Sequence, residues 1–120
     1  RMPNINAAIG LAQIEQIDHF ISLKRELAHT YHKWGKKNDI EFLIEPNNTR
    51  SNYWLNTMLS NSIEERDAIL EFTNMNNIMT RPGWKPMHLL KMYNSCQSDE
   101  LLNTIWAYER VINLPSSIYL

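Results

Sequence analysis

Apolar side chains recur at helical intervals along the opening of the chain. From Ile5 to Lys33 there is no proline and a single glycine, Gly10, while Ile9, Ala12, Ile17, Phe20, Leu27, Tyr31 and Trp34 fall on one stripe. The spacing predicts one long helix, with Asn4 or Asn6 as N-cap, because a short side-chain oxygen can accept from the free amides of the first turn. Its two halves differ. Lys24, Arg25, Glu26, His29 and Lys33 give the second half a wet face, whereas residues 5–14 are apolar or small on nearly every side. A helix apolar all round is buried all round. Nothing in the remaining residues suffices to wrap that stretch, so it is expected to pack against protein missing from this sequence or against a second copy. The opening Arg1-Met2-Pro3-Asn4, with no methionine at position 1, reads as a piece cut from a longer chain.

The rest of the pattern is shorter-ranged. Residues 40–44, Ile-Glu-Phe-Leu-Ile, read as a strand, and Pro46-Asn47-Asn48 as a turn. Residues 52–59, rich in aromatic and β-favouring side chains, make a second strand. Ser62-Ile63-Glu64-Glu65 is a capping box in which Ser62 caps the helix and Glu65 reaches back to the serine amide. The helix it opens runs to about Met75, with Ile63, Ala68, Ile69 and Phe72 inward. Residues 78–80 form a third strand ended by Arg81-Pro82, and residues 81–98 are loop. Asp99 caps a last helix through about Arg110, with Leu102, Ile105 and Trp106 inward. Residues 111–114 extend, and Pro115-Ser116-Ser117 turns. The order predicts an α+β fold, a long N-terminal helix plus a small antiparallel three-stranded sheet covered by helices on one face. Residues 1–34 are then a linking helix and residues 35–120 a small α/β domain.

Composition narrows the chemistry. Twelve basic and 13 acidic residues leave a formal charge of −1, which argues against a nucleic-acid surface. No apolar run approaches the roughly 20 residues of a membrane span. A single cysteine, Cys96, cannot form an internal disulfide and fits a reducing, cytoplasmic setting. With three glycines and no glycine-rich phosphate loop, P-loop and dinucleotide folds are out. His29 and His32 are spaced to share a metal ion but lack a third ligand, so no metal site is expected. Cys96 and His88 lack the orienting group a thiol nucleophile needs.

The segment Arg81-Pro82-Gly83-Trp84-Lys85-Pro86-Met87-His88 concentrates a tryptophan, three cationic or basic groups and two prolines in one loop. Two readings stay open on composition. Either Trp84 plugs the sheet edge and the cations solubilise it, or a stiffened loop shows a flat apolar face and anion-pairing groups to a ligand.

Several segments together resemble one family. Arg1-Met2-Pro3-Asn4-Ile5-Asn6-Ala7-Ala8-Ile9-Gly10-Leu11-Ala12-Gln13-Ile14-Glu15-Gln16-Ile17 resembles the connecting helix of the DegT/DnrJ/StrS sugar-nucleotide aminotransferases, pyridoxal-phosphate (PLP) enzymes of fold type I. Thr80 to His88 with Met92-Tyr93 is similar to their C-terminal loop, Arg110-Val111-Ile112-Asn113-Leu114-Pro115-Ser116-Ser117 to their closing strand, and Ser51-Asn52-Tyr53-Trp54-Leu55 to an earlier strand. The resemblance spans the chain in order and implies the C-terminal small domain of such an enzyme together with the helix leading into it. It implies, for the whole enzyme, a PLP-dependent transfer of an amino group, from glutamate, to a nucleotide-linked 4-keto-6-deoxy sugar by a homodimer. It places the Schiff-base lysine upstream of Arg1, so no catalytic residue is assigned here and the 120-residue chain alone is expected to be inactive. The substrate-binding residues it implies are Arg1, near the cofactor mouth, and Trp84, Lys85 and His88 in the loop, with Arg81 either neutralising diphosphate or structural. The alternatives are an inactive remnant or a free-standing dimerisation module pairing through the apolar helix.

Overall fold

A computed structural model describes residues 2–118. The opening segment is two helices, α1 (Asn4–Ile14) and α2 (Ile17–Lys37), rather than one. The break has a local cause. The Gln16 side-chain amide donates to the Ala12 carbonyl at 3.1 Å, the acceptor its own backbone N–H would use in a continuous helix, and that N–H turns to Gln13 O instead. α1 buries no side chain: Ile5, Ile9, Leu11 and Ile14 are 59–76% exposed. Residues 40–118 therefore leave the apolar helix uncovered.

α2 docks on the sheet by its C-terminal half. Gly35 makes the approach possible, since a Cβ there would stand 2.6 Å from the Phe42 ring and 2.8 Å from the Ile40 carbonyl. The strands are β1 (Glu41–Phe42), β2 (Asn56–Leu59), β3 (Arg81–Pro82) and β4 (Val111–Leu114). They pair antiparallel in the order β1-β2-β4-β3, so the sheet has four strands and not the expected three. The added strand is the stretch 111–114. Read in sequence only as extended, it lies at the centre between β2 and β3, because pairing on both edges is a non-local property. The first two strands are also shorter than their patterns, and the third falls on Arg81–Pro82 rather than on residues 78–80.

One sheet face carries Phe42, Met58 and Ile112, which form the core with Tyr31, Ile40, Ile69, Leu70 and Leu114 packed against them. The Tyr31 and Phe42 rings stack at 5.9 Å. Alternation along the strands puts Leu43, Leu55, Thr57, Asn113 and Arg81 on the opposite face. There Leu43, Leu55 and Arg81 are exposed.

α3 (Ile63–Met75) opens as expected with Ser62 Oγ accepting from Glu65 N at 3.2 Å. Glu65 reaches back to the amide of Asn61, at 2.7 Å, and not to that of Ser62. α4 (Leu102–Arg110) begins two residues later than expected and has no side-chain cap; Asp99 accepts from the Glu100 amide, and Leu101 enters the helix with a left-handed φ of 53°. Arg66 joins the two helices, donating to the Tyr108 carbonyl at 2.7 Å and lying 5.3 Å from the Tyr108 ring centre. Four side chains expected inward are exposed: Ala68, Phe72, Leu102 and Trp106. With only a two-residue β1 and β3, the sheet is too narrow to cover both sides of α3 and α4. Among the described residues no helix is long and apolar enough to cross a membrane.

Candidate functional site

The loop that follows β3 is stiff where it leaves the sheet. Prolines 82 and 86 fix φ, and Gly83 N donates to Val111 O at 3.3 Å. Pro86 is buried, and behind it two single turns of 3-10 helix, Met87–Leu89 and Lys91–Tyr93, close through Leu89 N to Pro86 O at 3.0 Å and Tyr93 N to Leu90 O at 2.9 Å. Trp84 projects from this frame with 85% of its surface exposed, and Lys85 beside it is exposed as well. In this chain Trp84 does not plug the sheet edge.

Trp84 lines a hollow of about 450 Å³ with Pro86 and with Asn103, Thr104, Ala107 and Tyr108 of α4 and its approach. His88, half-buried, lines an adjoining hollow of about 410 Å³ with Tyr93, Cys96, Asp99 and Thr104. Both hollows share Pro86 and Thr104, so Trp84 and His88 stand on two sides of one proline. Lys85 lines neither. Arg1 lies outside the described residues. Arg81 is exposed, takes no part in the ion pairs among the described residues, and its Nη2 meets only the Met79 sulfur, at 3.5 Å.

Sequence reasoning missed a second cluster, which shapes the segment before β2. Arg25 binds Glu45 through two hydrogen bonds of 2.9 and 2.6 Å and also donates to the Ser51 carbonyl at 2.7 Å. Glu45 in turn accepts from Ser51 N at 2.7 Å, and its own amide donates to the Tyr53 hydroxyl at 3.3 Å. The Arg25 hydrogen bonds, with the Ser51 amide second, hold the Glu45 carboxyl down to about 2. Tyr53 sits buried in a left-handed conformation, φ 44°, with the Arg25 guanidinium 5.5 Å from its ring centre. His32 stacks edge-on against Tyr53 at 5.5 Å; burial, then the nearby His29, lowers its pKa. Arg25 and Glu45 are twenty residues apart, and no local spacing announces the pair.

A PLP site needs a lysine enclosed beside the cofactor ring. Lys33, Lys36, Lys37, Lys85 and Lys91 are all exposed, and Lys24 is engaged with the Ser116 carbonyl. Among the described residues no three His, Cys, Asp or Glu side chains gather to hold a metal ion.

Comparison with known proteins places this geometry. The DegT/DnrJ/EryC1/StrS aminotransferase family matches residues 1–120. A GDP-perosamine synthase of Escherichia coli O157:H7 is 38% identical over 120 residues, and one of Vibrio cholerae 35% identical over 119. Each alignment takes in 97% of this chain but only 31% and 32% of the respective relative, so the chain spans about a third of the length of these proteins. Among solved structures, Spr1654 from Streptococcus pneumoniae in its PLP form superposes with a TM-score of 0.86 at 25% identity, covering 100% of this chain and 32% of that one. Helicobacter pylori PseC, an aminotransferase involved in the biosynthesis of pseudoaminic acid, shares the fold with a TM-score of 0.86 at 24% identity over 96% of this chain and 32% of its own. The chain belongs to the DegT/DnrJ/EryC1/StrS aminotransferase family.

Proposed function

We propose that this chain is the C-terminal part of a PLP-dependent aminotransferase that transfers an amino group from glutamate to a nucleotide-linked 4-keto-6-deoxy sugar. Residues 1–34 link the two parts of that enzyme, and residues 35–120 are its small domain. The cofactor and its lysine belong to the part that precedes Arg1, and the enzyme works as a homodimer. What this chain adds is the substrate-facing loop. The 38% identity to a GDP-perosamine synthase supports a GDP-linked sugar as the substrate.

The observation that carries the reading is the fully presented indole of Trp84 on a proline-stiffened loop, with Lys85 next to it and the unpaired Arg81 guanidinium at its root. A flat apolar face stacks on a sugar or base, and the two cations pair with diphosphate oxygens. The prolines lower the ordering cost of binding. His88, set back behind Pro86, donates to or accepts from a sugar hydroxyl.

The test is an assay of the complete enzyme with PLP, glutamate and a GDP-linked 4-keto-6-deoxy sugar, reading the aminated nucleotide sugar by mass and 2-oxoglutarate as co-product. The expected result is amination in wild type and a raised KM for the nucleotide sugar in Trp84→Ala and His88→Ala. Absence of amination with any 4-keto nucleotide sugar refutes the assignment, and unchanged kinetics in a variant removes that residue.

A further inference from the structure

The open face of the sheet carries a short polar row of which the reading above uses only Arg81. Thr57 on β2, Asn113 on β4 and Arg81 on β3 are direct cross-strand neighbours. The Thr57 hydroxyl donates to Asn113 Oδ1 at 2.8 Å, and Asn113 Nδ2 lies 3.5 Å from the Pro82 carbonyl. The Pro82 contact sets which way the amide faces, since reversed its oxygen would face the Pro82 oxygen with no hydrogen between them, and the Thr57 hydroxyl holds the amide in place. The Asn113 donor therefore points towards β3, the strand that carries Arg81. The Arg81 guanidinium has no carboxylate within ion-pairing distance among the described residues. Pro82 has no N–H of its own, and its carbonyl faces Asn113 Nδ2.

The result is a run of donors, the guanidinium and an amide NH2, with almost nothing of the protein to receive them. Around it stand Leu43 and Leu55, which are exposed, and no acidic side chain shares the row with Arg81. Exposed donors alone are satisfied by water. Donors held in place by a threonine and a proline carbonyl, on one row with a cation that has no carboxylate partner among the described residues, suit an anionic ligand with two or more acceptor oxygens.

We propose that Asn113, oriented by Thr57, forms with Arg81 an anion-recognising edge on the open sheet face, taking a pair of anionic oxygens of the reaction's substrates. This rests on the aminotransferase reading for its ligands, which offer that chemistry in two forms, the diphosphate of the nucleotide sugar and the carboxylates of the amino donor. Thr57 is a positioning residue and Asn113 a specificity residue.

The experiment uses the complete enzyme and two probes, inorganic pyrophosphate and glutarate, with affinities measured by calorimetry without turnover. Asn113→Asp keeps the shape and replaces a donor by a negative charge; Arg81→Met removes an exposed, unpaired cation and spares the core. Both are expected to weaken the same probe by about tenfold or more, the scale of a charge-assisted hydrogen bond. Thr57→Val weakens it by roughly fivefold, the scale of one neutral hydrogen bond, and Thr57→Ser restores it. Loss confined to pyrophosphate assigns the edge to the diphosphate, and loss confined to glutarate assigns it to the donor. If Asn113→Asp binds both probes as wild type does, or if Thr57→Val and Thr57→Ser bind alike, the proposal is wrong. Because no catalysis is read, these outcomes stand apart from whether the enzyme aminates a nucleotide sugar.

Discussion

Ser116 ties the exit of the central strand to the start of its neighbour by receiving two hydrogen bonds from Asn56, one from the backbone amide at 2.8 Å and one from the side-chain Nδ2 at 3.1 Å. The same hydroxyl donates to the Leu114 carbonyl at 2.9 Å. α2 holds the segment from the other side, with the Tyr31 hydroxyl on the Pro115 carbonyl at 2.9 Å and the Lys24 ammonium on the Ser116 carbonyl. The closing Leu-Pro-Ser-Ser is thus a structural knot. Asn56 is 2% exposed, so losing its acceptor strands two donors away from water. Ser116→Ala is expected to destabilise by about 2–3 kcal/mol, the cost of leaving buried donors unpaired. Urea unfolding read by tryptophan fluorescence measures it, and a loss below about 0.5 kcal/mol, the range of ordinary surface changes, would contradict the knot.

Gly35 makes a sharper steric prediction. Its missing Cβ lets α2 sit against β1, and alanine would place a carbon 2.6 Å from one Phe42 ring atom and 2.8 Å from a backbone oxygen. The ring is the core's own and the carbonyl belongs to the turn, so neither yields freely. Gly35→Ala is expected to cost about 1–3 kcal/mol, as overpacking does. Gly10→Ala is the control. Nothing lies within 4 Å of its built Cβ in this chain, so the substitution should strengthen α1 by about 0.5–1 kcal/mol through helix propensity. Helicity by circular dichroism separates the two, and a stabilised Gly35→Ala would overturn the argument.

Acid should loosen the loop before β2 in two stages. Burial, then the nearby His29, disfavours the charged form of His32, so its folded pKa lies below the ordinary 6.5. Protonation then favours the unfolded chain: the contribution is whole above pH 6.5 and is lost as pH falls below it. Glu45 is also depressed, from 4.5 to about 2, chiefly by the Arg25 hydrogen bonds. Its contribution is whole above pH 4.5 and lost as pH falls through about 2. Denaturation midpoints across pH should therefore drop first below 6.5 and again below 4.5. His32→Phe, which keeps a ring against Tyr53, should erase the first drop, and Glu45→Gln the second. A wild-type midpoint that stays flat from pH 7 to 5 would refute the His32 assignment.

How much of this was legible in the chain depends on the range of the contact. The Ser62 cap of α3 is a four-residue event, and the residues carry it openly. The apolar character of α1 is likewise local, and so is the shortage of residues in this chain to cover it. The break at Gln16 was hidden because it depends on a side chain outbidding its own backbone for the Ala12 carbonyl, which no apolar period encodes. In the sequence β4 is legible as extended but not as central, since its partners lie 56 and 31 residues away. At the site, Trp84 announced itself by composition. The Thr57–Asn113 pair did not, because threonine and asparagine are unremarkable until a register sets them opposite each other.

α1 supplies the last prediction. Its side chains are apolar or small on nearly every side, and in this chain they meet solvent: Ile9 is 60% exposed and Leu11 59%. If residues 1–34 link two parts of an aminotransferase, the missing cover is the rest of that enzyme, and a charge placed on α1 must behave differently in the two contexts. In the 120-residue chain, Ile9→Glu adds an exposed charge to an exposed helix and should change stability by less than about 0.5 kcal/mol while improving solubility. In the complete enzyme the same carboxylate enters an apolar interface without a partner, which costs several kcal/mol. Melting temperature and gel-filtration profile of the complete Ile9→Glu enzyme should fall and broaden, with Ile9→Leu close to wild type. Equal tolerance of the glutamate in both contexts would mean that nothing covers α1, and the linking role assigned to it would fail.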